Sequence, residues 1–271
     1  MATLEEIAAA AGVSRSTISR VINHEPRVSD ETRQRVWRVI REFDFQPNTA
    51  ARALAGQRSY MVGLVIQRPL DTVGADPYFS RLTQAVAVAC EGRGYHLMLS
   101  LMPSQTPEAY SKVIRGGRLD GLLVYYSCVE NPFVERLQAE RLPFVLMGRH
   151  LTRTDIPSVD ADNVHGARLA AQHLASLGYR HLATITGPLQ AVSSIDRREG
   201  FLAGLHSYGL RCLPDHIFEG DFTEPSGYEG MMRLLQTSPR PQAVFAANDV
   251  MAAGALRALR DAGLRVPQDM A

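Results

Sequence analysis

The chain has 271 residues, of which 45% are hydrophobic and 21% are charged. It therefore holds enough apolar material for a core and more residues than one average domain, which predicts one small and one larger domain. The longest apolar runs, such as 61–66 and 122–126, are much shorter than the roughly 18 residues of a membrane-spanning helix, which excludes such a helix. The net charge of +1 gives no general sign of a nucleic-acid partner.

The amino-terminal sequence and the cysteines indicate the compartment. Glu5 and Glu6 stand where a secretory signal would carry basic residues, so we expect a cytoplasmic protein. Cys90, Cys128 and Cys212 are far apart and form no CxxC pair, so neither a disulfide framework nor a thiolate metal site is expected. We expect the cysteines to be small core residues, and no cofactor or metal is predicted.

Three short helices are predicted in the first fifty residues. Thr3 and Glu6 form a capping box at the start of the first helix, and Gly12 ends it. Ser14 can cap a second helix and Ser29 a third, each with apolar residues repeating every three or four positions. Residues 1–60 hold nine arginines and seven acidic residues, a small positive excess in an otherwise balanced chain.

A fourth helical segment is predicted from Thr49 to Ala55. Asn48 can cap it after Pro47, and Gly56 ends it. At about two turns it is too short to be stable alone.

From Tyr60 onward, short apolar runs alternate with amphipathic stretches. The candidate strands are 61–66, 95–101, 120–126, 143–147, 181–186 and 242–246. The candidate helices are 78–92, 107–116, 131–140, 163–177, 195–208, 226–236 and 249–262. Strict alternation predicts parallel sheets with right-handed crossovers, and ligands then lie beyond the carboxyl ends of the strands. A break at 159–163 predicts two lobes.

The most specific pattern runs from Leu4 to Asn23 and reads Leu-x-x-Ile-Ala-x-x-Ala-Gly-Val-Ser-x-x-Thr-Ile-Ser-Arg-Val-Ile-Asn. Two helices joined by a tight turn form a helix-turn-helix, which places the second helix in the major groove of DNA. The sequence resembles the LacI/GalR (lac repressor) family of bacterial transcription regulators. The resemblance continues through Val28 to Arg33 and Pro47 to Leu54 and covers essentially the whole chain.

This resemblance implies an all-α helix-turn-helix domain with a hinge helix, followed by a two-lobed α/β effector domain with parallel sheets, like periplasmic binding proteins. The predicted boundaries are 1–46 for the DNA-binding domain, 47–60 for the hinge helix and linker, 61–160 for the first lobe and 161–271 for an incomplete second lobe.

In the second helix, Arg15, Ser16 and Arg20 match the family's base-reading positions, and Thr17 and Ser19 match positions that reach phosphates. An arginine can donate two hydrogen bonds to guanine, and hydroxyl groups suit phosphate oxygens. A single arginine could equally be a solvated surface charge, but their clustering on one face favours DNA. The full predicted DNA-binding set is Ser14, Arg15, Ser16, Thr17, Ser19, Arg20, Asn23, Asn48, Ala51 and Leu54.

Leu54 corresponds to the apolar wedge that the family's hinge helix inserts into the minor groove. Small alanines around it suit two hinge helices lying side by side. Without the resemblance, a linker whose leucine packs on the helical bundle would be the preferred interpretation.

The resemblance also implies an effector site. Phe79 can stack on a sugar ring, and arginine, asparagine and aspartate side chains can bind neighbouring hydroxyl groups. The alternatives are that Phe79 is a core residue and that Asp160 only ends a strand; Asp249 is expected to cap the last helix. The predicted effector-binding set is Phe79, Tyr126, Arg149, Asp160, Ser193, Arg197, Phe222 and Asn248.

Enzymatic alternatives lack support, because the sequence has no Gly-x-Ser-x-Gly elbow, no His-Glu-x-x-His and no P-loop. The family usually continues about sixty residues beyond Pro267, so this chain departs from it and is expected to be a fragment or a truncated product, which puts the closed pocket and part of the dimer surface in doubt.

We therefore predict a cytoplasmic, nucleoid-associated homodimeric repressor that binds a palindromic operator in double-stranded DNA and responds to a small effector, with a sugar as the favoured class. The rivals are a DNA-binding protein without ligand response and a sugar-binding transport component.

Overall fold

The computed structural model describes residues 2–22, 26–45, 58–68, 70–102, 106–116, 119–125, 128 and 132–271. The chain divides into two compact units, residues 1–59 and 60–271. Within the described residues, no helix is both long and apolar enough to cross a membrane.

The described residues of the first unit form three helices: α1 (Leu4–Ala11), α2 (Arg15–Ile22) and α3 (Asp30–Glu42). The predicted capping box is confirmed, since the Thr3 amide donates to Glu6 Oε2 at 2.8 Å and the Glu6 amide donates to Thr3 Oγ1 at 3.3 Å. Gly12 ends α1 with φ of 63°, a left-handed conformation that favours glycine. The predicted segment 49–55 lies outside the described residues.

One core cluster joins the three helices. Ile7 of α1, Ile18 and Val21 of α2 and Val36 of α3 are fully buried in it. Because these apolar residues recur at helical spacing, the opposite faces of the helices carry the polar side chains. The packing therefore fixes which face of α2 points to solvent.

The second unit is α/β. Its strands are β1 (Met61–Ile66), β2 (His96–Leu101), β3 (Gly121–Tyr125), β4 (Phe144–Met147), β5 (Ser158–Val159), β6 (Leu182–Thr186), β7 (Ile217–Glu219) and β8 (Ala243–Ala246). Its helices are α4 (Leu70–Ala75), α5 (Pro77–Glu91), α6 (Pro107–Gly116), α7 (Pro132–Ala139), α8 (Asn163–Ser176), α9 (Val192–His206), α10 (Glu224–Leu234) and α11 (Asp249–Asp261). A short 3-10 helix spans Pro214–His216.

Two parallel sheets form the centres of two lobes. We call the part of the second unit around the sheet β2-β1-β3-β4-β5 the first lobe, and the part around the sheet β7-β6-β8 the second lobe. Strand residues alternate between the two faces of each sheet: Leu64 packs with α5 on one face, and Val65 packs with α6 and α7 on the other. Each lobe is therefore a sheet between two layers of helices.

The predicted fold class is confirmed, with differences in detail. The elements α4, β5 and β7 were not predicted, and β5 follows β4 without a helix between them, so the alternation is not strict. Cys90 is buried beneath the first sheet, whereas Cys128 and Cys212 are only half-buried. The predicted domain boundaries stay predictions.

Candidate DNA interface and effector site

The outer face of α2 carries exposed side chains in a compact group. Arg15, Ser16, Ser19 and Arg20 are exposed, and Thr17 is half-buried. Positions i, i+1, i+4 and i+5 of a helix share one side, which brings the two arginines and two serines together. The opposite side of α2 carries the buried Ile18, Val21 and Ile22, which pack in the core of the first unit.

Three hydroxyl groups at the start of α2 form a hydrogen-bonded cluster. Ser14 Oγ lies 2.8 Å from Ser16 Oγ and 2.9 Å from Thr17 Oγ1, and it also accepts from the Thr17 amide at 3.2 Å. Ser14 therefore caps α2 as predicted, and the cluster is held at the helix end that the motif directs toward the groove floor.

Arg15 makes an ion pair with the neighbouring helix. Its Nη1 lies 3.0 Å from Glu5 Oε1 on α1, and both side chains remain mostly exposed. Of the other predicted DNA-binding residues, Asn23, Asn48, Ala51 and Leu54 lie outside the described residues.

The effector-site residues follow strands whose carboxyl ends are aligned. In the first lobe, Ile66 is in register with Tyr125, and Tyr125 with Met147. In the second lobe, Thr186 is in register with Glu219, and Ile185 with Ala246. The loops after these strands supply most of the predicted residues. Tyr126 lies outside the described residues.

Arg149 follows β4 in the first lobe and contacts Asp196 of α9 in the second. Arg149 Nε donates to Asp196 Oδ2 at 3.0 Å, and Arg149 Nη2 donates to the other oxygen, Oδ1. The Asp196 side chain is only 4% exposed, whereas that of Arg149 is 38% exposed. The hydrogen bonds from Arg149 to Asp196 raise the pKa of the guanidinium. This two-pronged pair joins the lobes.

Asp160, Asn163 and Arg197 form a second polar chain. Arg197 Nε donates to Asn163 Oδ1 at 2.9 Å, and Asn163 Nδ2 donates to Asp160 Oδ1 at 3.2 Å. Arg197 Nη1 also donates to the Ala247 carbonyl at 2.5 Å. Loss of hydration raises the pKa of Asp160, and the nearby Asp196 carboxylate adds to the increase. This series of hydrogen bonds links α8, α9 and the end of β8.

Asn248 caps α11, so the expectation that Asp249 does so is wrong. Asn248 Oδ1 accepts from the Met251 amide at 2.9 Å, and its Nδ2 donates to the Phe222 carbonyl at 3.2 Å. Asp249 is instead the first residue of the helix, where its negative charge interacts favourably with the helix dipole. The cap therefore also fixes the backbone of Phe222.

Phe222 lies on a left-handed backbone, with φ of 72°, and is only 8% exposed. A Cβ on Gly187 would lie 2.2 Å from Phe222 Cζ and 2.5 Å from Ser194 Oγ, so only glycine leaves room for the ring. The Arg68 guanidinium lies over the ring, 5.0 Å from its centroid. A first-lobe arginine therefore stacks on a second-lobe aromatic.

Phe79 is a core residue in this structure, with 3% exposure and an edge-on contact of 5.1 Å between its ring centroid and that of Tyr125. The neighbouring Tyr78 is 49% exposed, and its ring centroid lies 5.9 Å from that of Tyr125. Desolvation raises the pKa of the Tyr78 hydroxyl, with Tyr125 and Asp160 acting in the same direction and Arg197 opposing. Tyr78 is therefore the better placed of the two for contact with a ligand.

The structure thus brings together Arg149, Asp160, Arg197, Phe222 and Asn248, and places Ser193 half-buried in the first turn of α9. Sequence reasoning missed Arg68, Tyr125, Asn163 and Asp196 as members of this cluster. Arg68 and Tyr125 lie at carboxyl ends of strands, so the rule that ligands bind beyond these ends would have found them. Asp196 directly precedes Arg197, but its partner lies 47 residues away.

Two family models match the chain. Residues 3–48 match "Bacterial regulatory proteins, lacI family", and residues 59–271 match "Periplasmic binding proteins and sugar binding domain of LacI family". The HTH-type transcriptional regulator CelR of Thermobifida fusca is 38% identical over 272 residues, covering 99% of this chain and 80% of CelR. The HTH-type transcriptional repressor PurR of Edwardsiella ictaluri is 37% identical, covering 100% of this chain and 79% of PurR.

Solved structures give the same result. A complex of the transcriptional regulator CelR with cellobiose has a TM-score of 0.74 at 36% identity, covering 100% of this chain and 81% of the other. The lac repressor dimer bound to operator and the anti-inducer ONPF has a TM-score of 0.83 at 30% identity, covering 99% and 80%. The chain belongs to the LacI family of bacterial regulatory proteins and is a transcriptional regulator, not an enzyme.

Proposed function

We propose that this protein is a cytoplasmic repressor that binds a palindromic operator as a homodimer and changes its operator affinity when a small sugar binds. The observation that carries the DNA-binding part is the outer face of α2, where Arg15, Ser16, Ser19 and Arg20 are exposed while Ile18 is buried. Such a face presents guanine-reading and phosphate-binding groups together on one rigid helix. The structural likeness to a lac repressor dimer on operator supports the dimeric arrangement.

The effector part rests on the cluster between the lobes. Three arginines (Arg68, Arg149 and Arg197) and four acidic residues (Asp76, Asp160, Asp196 and Glu199) act electrostatically on the same tyrosines or on one another there. A site that holds charges of both signs in similar number favours a ligand with no net charge and many hydroxyl groups. The likeness to a CelR structure that contains cellobiose agrees with a neutral sugar.

Effector binding and operator binding are coupled because the ligand contacts both lobes. A sugar bound among Tyr78, Arg197 and Asn248 would touch both lobes and favour one lobe arrangement. Operator affinity can then depend on the ligand, and by linkage the operator must change the ligand's affinity by the same factor.

The test starts from selection of bound duplexes out of a random DNA pool. The expected products are palindromic, and sedimentation should give two chains per duplex. Titration of the complex with neutral sugars, cellobiose included, and with sugar phosphates as charged controls should shift operator affinity only with a neutral sugar. Selection that yields no common sequence would refute the DNA-binding part, and a response to sugar phosphates alone would refute the neutral-sugar part.

A further inference from the structure

Glu5 of α1 reaches the exposed outer face of α2. Its Oε1 lies 3.0 Å from Arg15 Nη1, and the side chains of Glu5 and Arg15 are 63% and 71% exposed. Neither side chain contributes to the core of the first unit. The contact therefore connects an acidic side chain directly to a predicted base-reading arginine.

We propose that Glu5 is a positioning residue that raises the sequence selectivity of Arg15. The inference rests on the proposed function, in which α2 reads the major groove. Glu5 would not touch DNA itself. It acts by orienting the Arg15 guanidinium and by opposing its use on phosphates.

The orientation follows from the donors of the guanidinium. Arginine has five N–H groups in a fixed plane, and a contact at Nη1 leaves donors elsewhere in that plane for a base edge. Guanine presents two acceptors, O6 and N7, in the major groove. Holding one nitrogen on Glu5 reduces the rotamer freedom that Arg15 would otherwise lose on binding a base.

Glu5 opposes contacts between Arg15 and phosphates because its carboxylate is negatively charged. A phosphate that Arg15 approached would also approach the Glu5 carboxylate, and the two negative groups repel. A guanine edge carries no net charge, so a base contact avoids this repulsion. Glu5 therefore weakens contacts to arbitrary DNA more than contacts to a matching base.

The effect should be modest, because exposed ion pairs are weak. We expect about a two- to five-fold change in selectivity per subunit, the range that such pairs give in double-mutant cycles. The salt dependence provides a second signature. Log affinity falls as log salt rises, and each phosphate contact that Arg15 gains makes this negative slope steeper by roughly 0.9.

The experiment compares the full chain with Glu5→Gln, Arg15→Ala and the double variant, on a duplex selected from random DNA and on a duplex of scrambled sequence. Fluorescence anisotropy gives both affinities at several salt concentrations. Glu5→Gln should bind the scrambled duplex more tightly, with a steeper salt slope and about a two- to five-fold lower selectivity per subunit. In the Arg15→Ala background, Glu5→Gln should leave selectivity unchanged.

Glu31→Gln is the matched control, because it removes the same charge from an exposed position at the start of α3. An equal loss of selectivity in Glu31→Gln, or the same effect of Glu5→Gln with and without Arg15, would show general charge repulsion and overturn the proposal. Unchanged selectivity in Glu5→Gln with an unchanged melting temperature would also overturn it. A wild-type chain that does not distinguish the two duplexes would instead refute the proposed function, and the role of Glu5 with it.

Discussion

Arg149 and Asp196 join the two lobes through two hydrogen bonds, and the environments of the two partners are unequal. The Asp196 carboxylate is buried, whereas the Arg149 guanidinium is partly hydrated. Removal of one partner therefore has a different cost from removal of the other. Arg149 Nη1 also donates to the Leu151 carbonyl at 3.3 Å, so all three nitrogens of the guanidinium already have partners, which makes Arg149 better suited to hold the lobes together than to bind the effector.

The first prediction concerns this asymmetry. Arg149→Met should lower the free energy of unfolding by up to about 3–5 kcal/mol, because it leaves a buried carboxylate without its partner. Asp196→Asn should cost less, since the arginine can be hydrated and the amide oxygen can still accept from it. Urea unfolding of both variants and of the double variant measures the costs and the coupling between the residues. Equal costs with no coupling would contradict the interpretation.

The second prediction concerns Asp160, whose pKa is raised in the folded protein. A raised carboxyl pKa means that the folded state holds its proton more tightly than the unfolded state, so stability falls as pH rises from the unfolded pKa of about 3.9 through the folded pKa. Asp160→Asn should therefore stabilise the ligand-free protein at neutral pH, since the amide oxygen can still accept from Ala161 and Asn163. Thermal melts from pH 3 to pH 8 test this expectation.

Asp155 provides the opposite control. Its hydrogen bonds with Arg153 lower the pKa of its carboxyl group. Its contribution to stability is present above its unfolded pKa and is lost as pH falls through the folded pKa. Asp155→Asn should therefore not stabilise the protein at neutral pH. If both asparagine variants shift the melting temperature in the same direction, the explanation for Asp160 is wrong.

The third prediction concerns Gly187. A methyl group there would overlap the Phe222 ring and the Ser194 hydroxyl. Gly187→Ala should cost about 1–3 kcal/mol of stability and displace Phe222, as overpacking does in other cores. Gly166→Ala on α8 is the control, because its added Cβ would have no atom within 4 Å apart from its chain neighbours and the backbone of its own helix. Chemical denaturation compares the two variants, and similar stabilities would refute the close approach.

The fourth prediction concerns Arg197, which the sequence assigned only to the effector. Because it also holds Asn163 and the Ala247 carbonyl, Arg197→Ala should lose the ligand response and also lower stability. Arg197→Lys keeps the charge but cannot maintain both contacts, so the response should fall while operator affinity without ligand changes little. Calorimetry with the sugar identified by the titration tests this. Normal sugar binding by both variants would remove Arg197 from the site.

The sequence predicted the long, periodic elements well and the short ones poorly. Capping signals at Thr3 and Ser29 and the helical repeats of α1 to α3 are local properties, and the structure has all three helices. The strand β5 has two residues and β7 has three, which is too short for an alternating pattern to be seen. Such strands are specified by their neighbours in the sheet.

The candidate site likewise contains residues that the sequence predicts and contacts that it does not. The family resemblance selected Arg149 and Asn248, and both residues follow strands, where ligands of parallel sheets lie. The pairing of Arg149 with Asp196 and the burial of Phe79 depend on tertiary packing, and neither leaves a local signal in the sequence. The cap of α11 was assigned to Asp249 because aspartate is as good a capping residue as asparagine. Asn248 is the capping residue because of where β8 ends and α11 begins.

The fifth prediction concerns Arg20, which is exposed on the outer face of α2. Arg20→Ala should weaken binding to the selected duplex by about 1–3 kcal/mol per subunit and relax the preference at one base pair of each half-site. Binding to scrambled DNA should change much less. Repeating the selection with the variant identifies the base pair. Equal weakening on both duplexes would assign Arg20 to a phosphate contact.

The most direct test of the account is the ratio of the wild-type chain's affinities for the selected palindrome and for a scrambled duplex of the same length and base composition, measured at one physiological salt concentration. If the outer face of α2 reads sequence, the palindrome should bind at least about a thousand-fold more tightly. Equal affinity for the two duplexes would show that the chain recognises only the DNA backbone and would contradict the account.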